Sequence, residues 1–297
     1  MITNKIGLHA GYFAGTELEK DLFEMLRVTA EAGCQAIELM PGCFSGMTMA
    51  QKQEVRRALE YYDLELVVGA GRNPQVDLSS ADPAVQAAGI KSALETLTLV
   101  SVLGGHLWDG LIHACWPGRP SAVLTAREKE IICARSRENL KKILPMAEHL
   151  GITCCFEVVN RFEHYLFNTA REGVAFTQDL GDSAQLLLDT FHMNIEEDTF
   201  TDAICWAAGH KKLGHFHVGE ANRKMPGTAP SHLPWDSIFS ALAQCGYQGL
   251  IIMEPYILAE TQTAYNVCLW RDLSGHASTK QLISQIKTGV EFLRNGD

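Results

Sequence analysis

Short apolar segments alternate with longer amphipathic segments about eight times along the chain. The apolar segments are nearly continuous hydrophobic runs, which is typical of parallel strands that are covered on both faces. They comprise residues 5–9, 35–40, 64–69, 105–113, 152–159, 184–190, 211–217 and 249–254. Each is followed by a stretch with helical periodicity, so the pattern predicts a repeated strand–helix unit.

Several of the predicted helices begin with a capping box. In this motif a threonine and an acidic or amide residue three positions later satisfy the free N–H groups of the first helical turn. The four pairs are Thr16 with Glu19, Thr48 with Gln51, Thr125 with Glu128, and Thr169 with Glu172. These pairs mark where the helices between the strands are expected to start.

Eight strand–helix units within 297 residues predict a single (β/α)8 TIM barrel that spans residues 1–297 as one domain. Length alone is a weaker guide, because domains average about 150 residues and the chain has room for two. The alternative is a doubly wound open sheet, which usually carries a G-x-G-x-x-G turn after its first strand. Residues 10–15 read AGYFAG instead, so the barrel is favoured.

Composition narrows the classes of partner. The chain carries 25 Lys and Arg against 35 Asp and Glu, a net charge of −10, which disfavours a nucleic-acid partner. Its apolar runs are shorter than the roughly 20 residues that a membrane span needs, and residues 1–5 lack the apolar core of a signal peptide. The nine cysteines form no C-x-x-C pair and are expected to be free thiols. These features predict a cytoplasmic protein without a membrane or nucleic-acid partner.

Ionisable residues are concentrated at the ends of the last four predicted strands, where barrel enzymes build their active sites. These ends supply Glu157, Asp189, a histidine at position 215 or 217, and Glu254. Three carboxylates and an imidazole in one barrel mouth would be unfavourable without a cation among them. Oxygen-rich ligation with one histidine suits Mn²⁺, Mg²⁺ or Co²⁺, so the pattern predicts a metal site.

Each of these residues has a simpler explanation when it is considered alone. A single carboxylate at a strand end is usually solvated or bonded to a helix N-terminus. A lone His215 is more often a core histidine than a ligand, and Glu197 and Glu220 fit supporting or surface groups. The coincidence on four consecutive strands is what favours the metal site.

Three segments around these residues resemble the ketose 3-epimerases, the D-tagatose 3-epimerase and D-allulose (D-psicose) 3-epimerase family of the xylose-isomerase-like barrels. They are EVVNRFE at 157–163, LDTFHMNIEE at 188–197 and GHFHVGEANR at 214–223. The similarity continues through LPWD at 233–236, MEPY at 253–256 and LWRDLS at 269–274, and more loosely at 77–80 and 115–117. It therefore covers nearly the whole chain.

The resemblance implies that Glu157, Asp189, His217 and Glu254 bind one divalent ion, with Mn²⁺ expected first and Co²⁺ or Mg²⁺ as alternatives. It also implies an isomerase that epimerises a free ketose at C3 through an enediolate intermediate. Glu157 and Glu254 are expected to serve as base and acid, because strands five and eight lie about 135° apart around the barrel. Which of the two removes the proton depends on the hand of the substrate.

The resemblance further implies that Glu163, His192 and Arg223 bind the substrate, with Glu163 near O1 of the ketose. The D-tagatose/D-sorbose, D-fructose/D-allulose and L-ribulose/L-xylulose pairs all remain open as substrates. Relatives of this type are usually homodimers or homotetramers, and the same is expected here by analogy.

Three loops depart from the family pattern. Residues 12–16 read YFAGT where members carry a tryptophan-rich stretch, residues 69–72 read GAGR, and the segment 227–235 is longer than usual. These loops shape the pocket beyond the reacting carbons and leave the preferred sugar open.

Other functions remain as alternatives within and beyond this family. Within the fold, these are an isomerase or dehydratase of a small keto-substrate, of the hydroxypyruvate isomerase or inosose dehydratase type, and an endonuclease. The charge of −10 disfavours the endonuclease. A non-catalytic metal-dependent sugar-binding protein is disfavoured because both predicted proton-transfer glutamates are present.

Overall fold

The computed structural model describes residues 2–296, and nine strands lie in this part of the chain. They are β1 (Ile6–His9), β2 (Ala36–Leu39), β3 (Glu65–Val68), β4 (Gly71–Arg72), β5 (Leu107–Cys115), β6 (Thr153–Glu157), β7 (Ala184–Asp189), β8 (Leu213–Val218) and β9 (Ile251–Met253). All eight predicted strands are present, most of them shorter than predicted. The two-residue β4 is an addition that the sequence pattern did not indicate.

The strands form one sheet in the order β3-β2-β1-β9-β8-β7-β6-β5-β4, and a further pairing joins β3 to β5. The registered pairs are parallel, for example Gly7 beside Ala36 and Trp108 beside Cys154. The eight main strands close into a barrel with helices between them. The predicted TIM barrel is therefore confirmed, and the doubly wound sheet is excluded.

Eleven α-helices accompany the strands in the described residues. They are α1 (Leu22–Glu31), α2 (Met49–Tyr61), α3 (Pro83–Val102), α4 (Ala126–Leu140), α5 (Leu144–Leu150), α6 (Ala170–Thr177), α7 (Thr190–Glu196), α8 (Phe200–Gly209), α9 (Trp235–Gln244), α10 (Gln262–Asn266) and α11 (Thr279–Asn295). Among residues 2–296, no helix combines the length and the apolar character needed to cross a bilayer.

Two of the predicted capping boxes are complete. The Thr48 and Thr125 side chains accept hydrogen bonds from the third residue of α2 and of α4, and the side chains of those residues bond back to the cap. At α6 the box is only half formed. The Thr169 hydroxyl accepts from the Glu172 N–H at 3.3 Å, but the Glu172 carboxylate accepts from Asn168 at 2.7 Å.

The capping box predicted at Thr16 is wrong. The Thr16 hydroxyl donates back to the Phe13 carbonyl at 2.7 Å, and Glu19 accepts from the Gly15 N–H at 2.7 Å, within a short 3-10 turn. Helix α1 starts later, at Leu22, where the Asp21 side chain accepts from the N–H of the third helical residue. Local bonds of the Thr16 and Glu19 side chains to upstream backbone thus replace the predicted cap.

Two units can be distinguished along the chain. The terminal unit combines the described residues up to Val67 with those from Phe216 onward, and the central unit runs from Val68 to His215. Ile37 and Ile252 are fully buried in the terminal unit, and Phe156 and Leu186 are fully buried in the central unit. A single domain that spans 1–297 stays a prediction.

Candidate active site

In the central unit, two neighbouring parallel strands end in carboxylates. Glu157 is the last residue of β6 and is paired in register with Leu187, so that Asp189, the last residue of β7, lies at the same edge. Asp189 is fully buried, and its Oδ1 accepts from the Phe191 N–H at 2.9 Å. Asp189 therefore caps α7 and places His192 in the first turn of that helix.

The His192 ring lies between these carboxylates. Its Nε2 is 3.2 Å from Glu157 Oε1 and 3.7 Å from Asp189 Oδ2. Its Nδ1 lies 3.2 Å from the Asn160 backbone N–H, which donates to it. This hydrogen bond assigns the proton of the neutral ring to Nε2, so that the ring N–H points to the carboxylates.

Glu157 and Asp189 supply carboxylates that suit a divalent cation, and His192 lies beside them. One atom from each of these three side chains lies within 4.8 Å of the other two. Two carboxylate oxygens at such separation repel each other when no cation or proton lies between them. Carboxylate oxygens match the ligand preferences of Mn²⁺ and related ions, so Glu157 and Asp189 fit a metal, with the His192 N–H as a neighbouring donor.

Glu163 is held beside the same histidine. Its Oε2 accepts from the Trp116 indole N–H at 2.7 Å, and its Oε1 accepts from the Asn160 side-chain amide at 3.2 Å. The His192 Nδ1 lies 3.9 Å from Glu163 Oε1. Both oxygens of the Glu163 carboxylate are therefore oriented by fixed donors, in a side chain that is still about one fifth exposed (22%).

In the terminal unit, the ends of β8 and β9 bring His217 and Glu254 together. His217 is paired in register with Ile252, and the Glu254 N–H donates to the Val218 carbonyl at 2.9 Å. The His217 Nδ1 lies 3.7 Å from Glu254 Oε2. Both residues are buried, at 1% and 8% exposure.

Two further residues hold the Glu254 carboxylate. The Arg223 guanidinium contacts Oε2 at 2.6 Å, and the Tyr256 hydroxyl donates to Oε1 at 3.0 Å. Burial by itself would raise the pKa of the Glu254 carboxyl. The Arg223 charge and the hydrogen-bonded His217 ring outweigh burial and hold this pKa well below its usual range.

Glu38, on the otherwise apolar strand β2, contacts the other side of the His217 ring. The His217 Nε2 lies 2.9 Å from Glu38 Oε2, and the His9 Nε2 lies 3.5 Å from Glu38 Oε1. Burial lowers the pKa of His9 to about 4, so its ring is neutral at pH 7. Metal-binding histidines commonly donate their second N–H to a carboxylate, which fixes the tautomer and the orientation of the ring.

The predicted site residues form one cluster in the central unit and one cluster in the terminal unit. The central unit brings together Glu157, Glu163, Asp189 and His192, and the terminal unit brings together His217, Arg223 and Glu254. His215, the other candidate on β8, is fully buried and lies 3.3 Å from the Asp109 carboxylate.

Sequence reasoning missed several residues that support the site. Glu38 was overlooked, although a lone carboxylate inside an apolar strand is itself a signal of a buried polar partner. Tyr256 and Trp116 lie in segments that carried the family resemblance, but nothing in the sequence indicated which atoms they contact. Glu197, in contrast, has a structural role, because its carboxylate accepts from the first N–H of α6 at 2.6 Å.

The sequence of this chain is similar to those of known proteins. The sequence model of the xylose isomerase-like TIM barrel family matches residues 26–273. A D-psicose 3-epimerase from Agrobacterium fabrum is 38% identical over 89% of this chain and 90% of its own. An L-ribulose 3-epimerase from Mesorhizobium japonicum is 34% identical over 98% of this chain and 95% of its own. This chain belongs to the ketose 3-epimerase family of xylose isomerase-like barrels.

A solved structure supports the same assignment to the ketose 3-epimerases. The D-psicose 3-epimerase from Clostridium cellulolyticum H10, solved with D-tagatose, superposes with a TM-score of 0.91 at 33% identity. The match covers 98% of each chain. Ketose 3-epimerases are metal-dependent isomerases, and the central unit of this member contains a candidate metal site.

Proposed function

We propose that this protein is a metal-dependent ketose 3-epimerase, which inverts the configuration of a free ketose at C3. The observation that carries the proposal is the environment of two strand-end glutamates. Glu157 lies beside the His192 N–H, and Glu254 lies beside the Arg223 guanidinium. The similar D-psicose and L-ribulose 3-epimerases support the substrate class.

We propose that Glu157, Asp189, His217 and Glu254 hold one divalent cation, Mn²⁺ first and Co²⁺ or Mg²⁺ as alternatives. Three carboxylates and one imidazole fit the preferences of these ions. When bound, such a cation supplies Lewis-acid stabilisation of the negative charge that develops on the ketose oxygens. Glu38 supports the assignment of His217 as a ligand, because it holds the Nε2 side of the ring at 2.9 Å.

The two glutamates then transfer protons to and from C3, one on each face of the sugar. One carboxylate removes the proton from C3, which is weakly acidic because it lies next to the C2 carbonyl. The other returns a proton to the opposite face of the resulting enediolate. His192 and Arg223 are N–H donors that can stabilise charge on the substrate oxygens during this exchange.

Substrate binding is assigned to Glu163, His192 and Arg223. Glu163 is an acceptor for a sugar hydroxyl, and Trp116 together with Asn160 fixes its carboxylate in one orientation. Arg223 and His192 are both nearly buried, so their positions are set before the substrate arrives. This arrangement serves any ketose with the same C1–C3 pattern.

The test uses the purified full-length chain. The protein is treated with EDTA and then supplied with Mn²⁺, Co²⁺ or Mg²⁺, and each form is incubated with D-fructose, D-tagatose and L-ribulose. We expect chromatography to show the C3 epimer of at least one sugar, with Mn²⁺ restoring the activity that EDTA removes. If no ketose is interconverted and EDTA changes nothing, the proposal fails. Metal-dependent sugar binding without turnover would instead indicate a binding protein.

Location and assembly complete the proposal. Within residues 2–296 the nine cysteines are thiols and not disulfides, as in proteins of a reducing compartment, which supports a cytoplasmic location. A homodimer or homotetramer is proposed by analogy with the family. Light scattering coupled to size-exclusion chromatography gives the mass that decides between these states and a monomer of 32.7 kDa.

A further inference from the structure

Glu220 is a buried carboxylate just beyond the end of β8, with 5% of its surface exposed. Such a group costs free energy unless hydrogen-bond donors surround it. Its Oε1 accepts from the Trp235 indole N–H at 3.2 Å, and its Oε2 accepts from the Ser231 hydroxyl. The Glu220 side chain therefore attaches the end of β8 to the segment 226–235.

The Glu220 backbone also builds the turn that carries Arg223. The Glu220 N–H donates to the Lys224 carbonyl at 3.0 Å, and the Arg223 N–H donates to the Glu220 carbonyl at 2.8 Å. Arg223 has a φ of +65°, a left-handed conformation that costs free energy for a residue with a side chain. This conformation persists only where the surrounding contacts enforce it.

Arg223 in turn contacts Glu254, the proposed catalytic carboxylate, and its neighbour Tyr256. The Tyr256 N–H donates to the Arg223 carbonyl at 2.9 Å, and the guanidinium reaches Glu254 Oε2 at 2.6 Å. The guanidinium also lies 5.3 Å from the centre of the Tyr256 ring. A continuous set of contacts thus runs from Ser231 and Trp235 through Glu220 to Arg223.

We propose that Glu220 is a positioning residue for Arg223. Its carboxylate anchors the turn 220–224 to the segment 226–235, and the anchored turn fixes the Arg223 guanidinium beside Glu254. This inference rests on the proposed function, since it assigns Arg223 to substrate binding. Ser231 lies in the segment 226–235, so the anchor makes the Arg223 position depend on the conformation of this segment.

The test compares Glu220→Ala with Glu220→Gln in the metal-loaded protein. Alanine removes both acceptor oxygens, and we expect kcat to fall about 10- to 100-fold with a smaller rise of KM, because a displaced guanidinium misaligns the substrate. Glutamine still accepts from the Trp235 indole N–H and should restore most of kcat. Equal losses in the two variants would overturn the positioning role, since they would indicate that the charge itself is required.

A double-mutant cycle with Arg223→Ala separates positioning from a general structural role. If Glu220 acts through Arg223, Glu220→Ala adds little to the loss that Arg223→Ala already causes. If the losses of kcat in the two single variants multiply in the double variant, the inference is overturned.

Ser231→Ala provides a second test if Glu220→Ala fails to fold. It removes one of the two donors to the Glu220 carboxylate, and we expect a smaller loss of kcat. Its matched control is Ser240→Ala. Ser240 is an exposed residue of α9 whose hydroxyl accepts from the side-chain amide of the surface residue Gln244, so this variant should keep full activity.

A readout independent of turnover keeps this inference separate from the proposed function. The indole ¹⁵N–¹H signal of Trp235, assigned with Trp235→Phe, should shift in Glu220→Ala and stay in place in Ser240→Ala. If the wild-type protein epimerises no ketose, the proposed function fails while this signal still tests the anchor. An unchanged Trp235 signal in Glu220→Ala would show that the hydrogen bond to Glu220 is absent and would overturn the anchor.

Discussion

At the scale of single residues, the two proposed proton-transfer glutamates have different surroundings. Glu157 faces a neutral imidazole, whereas Glu254 contacts a guanidinium and a phenol hydroxyl. The sequence could predict both glutamates because each ends an apolar strand. It could not predict the contact of Glu38 with His217, because this contact joins strands that are far apart along the chain.

Replacing either glutamate with glutamine should abolish epimerisation. An amide cannot accept the C3 proton, and two-sided exchange requires both carboxylates. We expect Glu157→Gln and Glu254→Gln each to form no detectable C3 epimer by chromatography, with a circular dichroism spectrum like that of the wild type. Glu291→Gln, at an exposed position on α11, is the matched control and should retain full activity. Turnover retained in either site variant would contradict the two-glutamate mechanism.

At the scale of elements, hydrophobic patterning located the strands well because both faces of a parallel barrel strand are buried. The ends of elements were harder to predict, as Thr16 shows. Its hydroxyl is bonded to the Phe13 carbonyl, and a capping motif in the sequence does not reveal such competing local bonds. The pattern also missed a complete capping box at Ser278 and Gln281, which starts α11.

A glycine in α3 shows how closely one element approaches another. A Cβ added at Gly89 would lie 2.7 Å from the Val76 carbonyl oxygen, which is backbone and cannot move at low cost. Gly89→Ala should therefore lower the free energy of unfolding by about 1–3 kcal/mol, despite the better helix propensity of alanine. Urea unfolding monitored by circular dichroism measures this change.

The matched control for Gly89 is Gly209, the last residue of α8, where an added Cβ meets nothing within 4 Å. Gly209→Ala should leave the free energy of unfolding unchanged or raise it slightly, since alanine favours the helix. Equal stability of the two variants would show that α3 can shift away from Val76.

At the scale of the whole molecule, the barrel was predictable because eight strand–helix units leave few other topologies for a chain of this length. Net charge and cysteine number indicated only which partners to exclude. Neither the composition nor the periodicity indicated how many histidines would be buried, and this number affects how stability depends on pH.

His164 should make the protein sensitive to mild acid. It is 1% exposed, and burial lowers its pKa to about 4, against about 6.5 in the unfolded chain. The unfolded state therefore binds more protons below pH 6.5. The stabilisation that comes from keeping His164 neutral is complete above this pH and is lost as the pH falls toward 4.

Between pH 7 and pH 5 this residue alone should lower the free energy of unfolding by about 2 kcal/mol. The measurement is urea unfolding at both pH values in EDTA, for the wild type and for His164→Asn. Asparagine keeps an acceptor near the Nδ1 position, which accepts from the Leu166 N–H at 3.2 Å. The variant should be less stable at pH 7 but lose about 2 kcal/mol less on acidification. His232→Asn, at an exposed position, is the control and should lose as much free energy of unfolding between pH 7 and pH 5 as the wild type. If His164→Asn also loses as much as the wild type, the acid sensitivity comes from other groups.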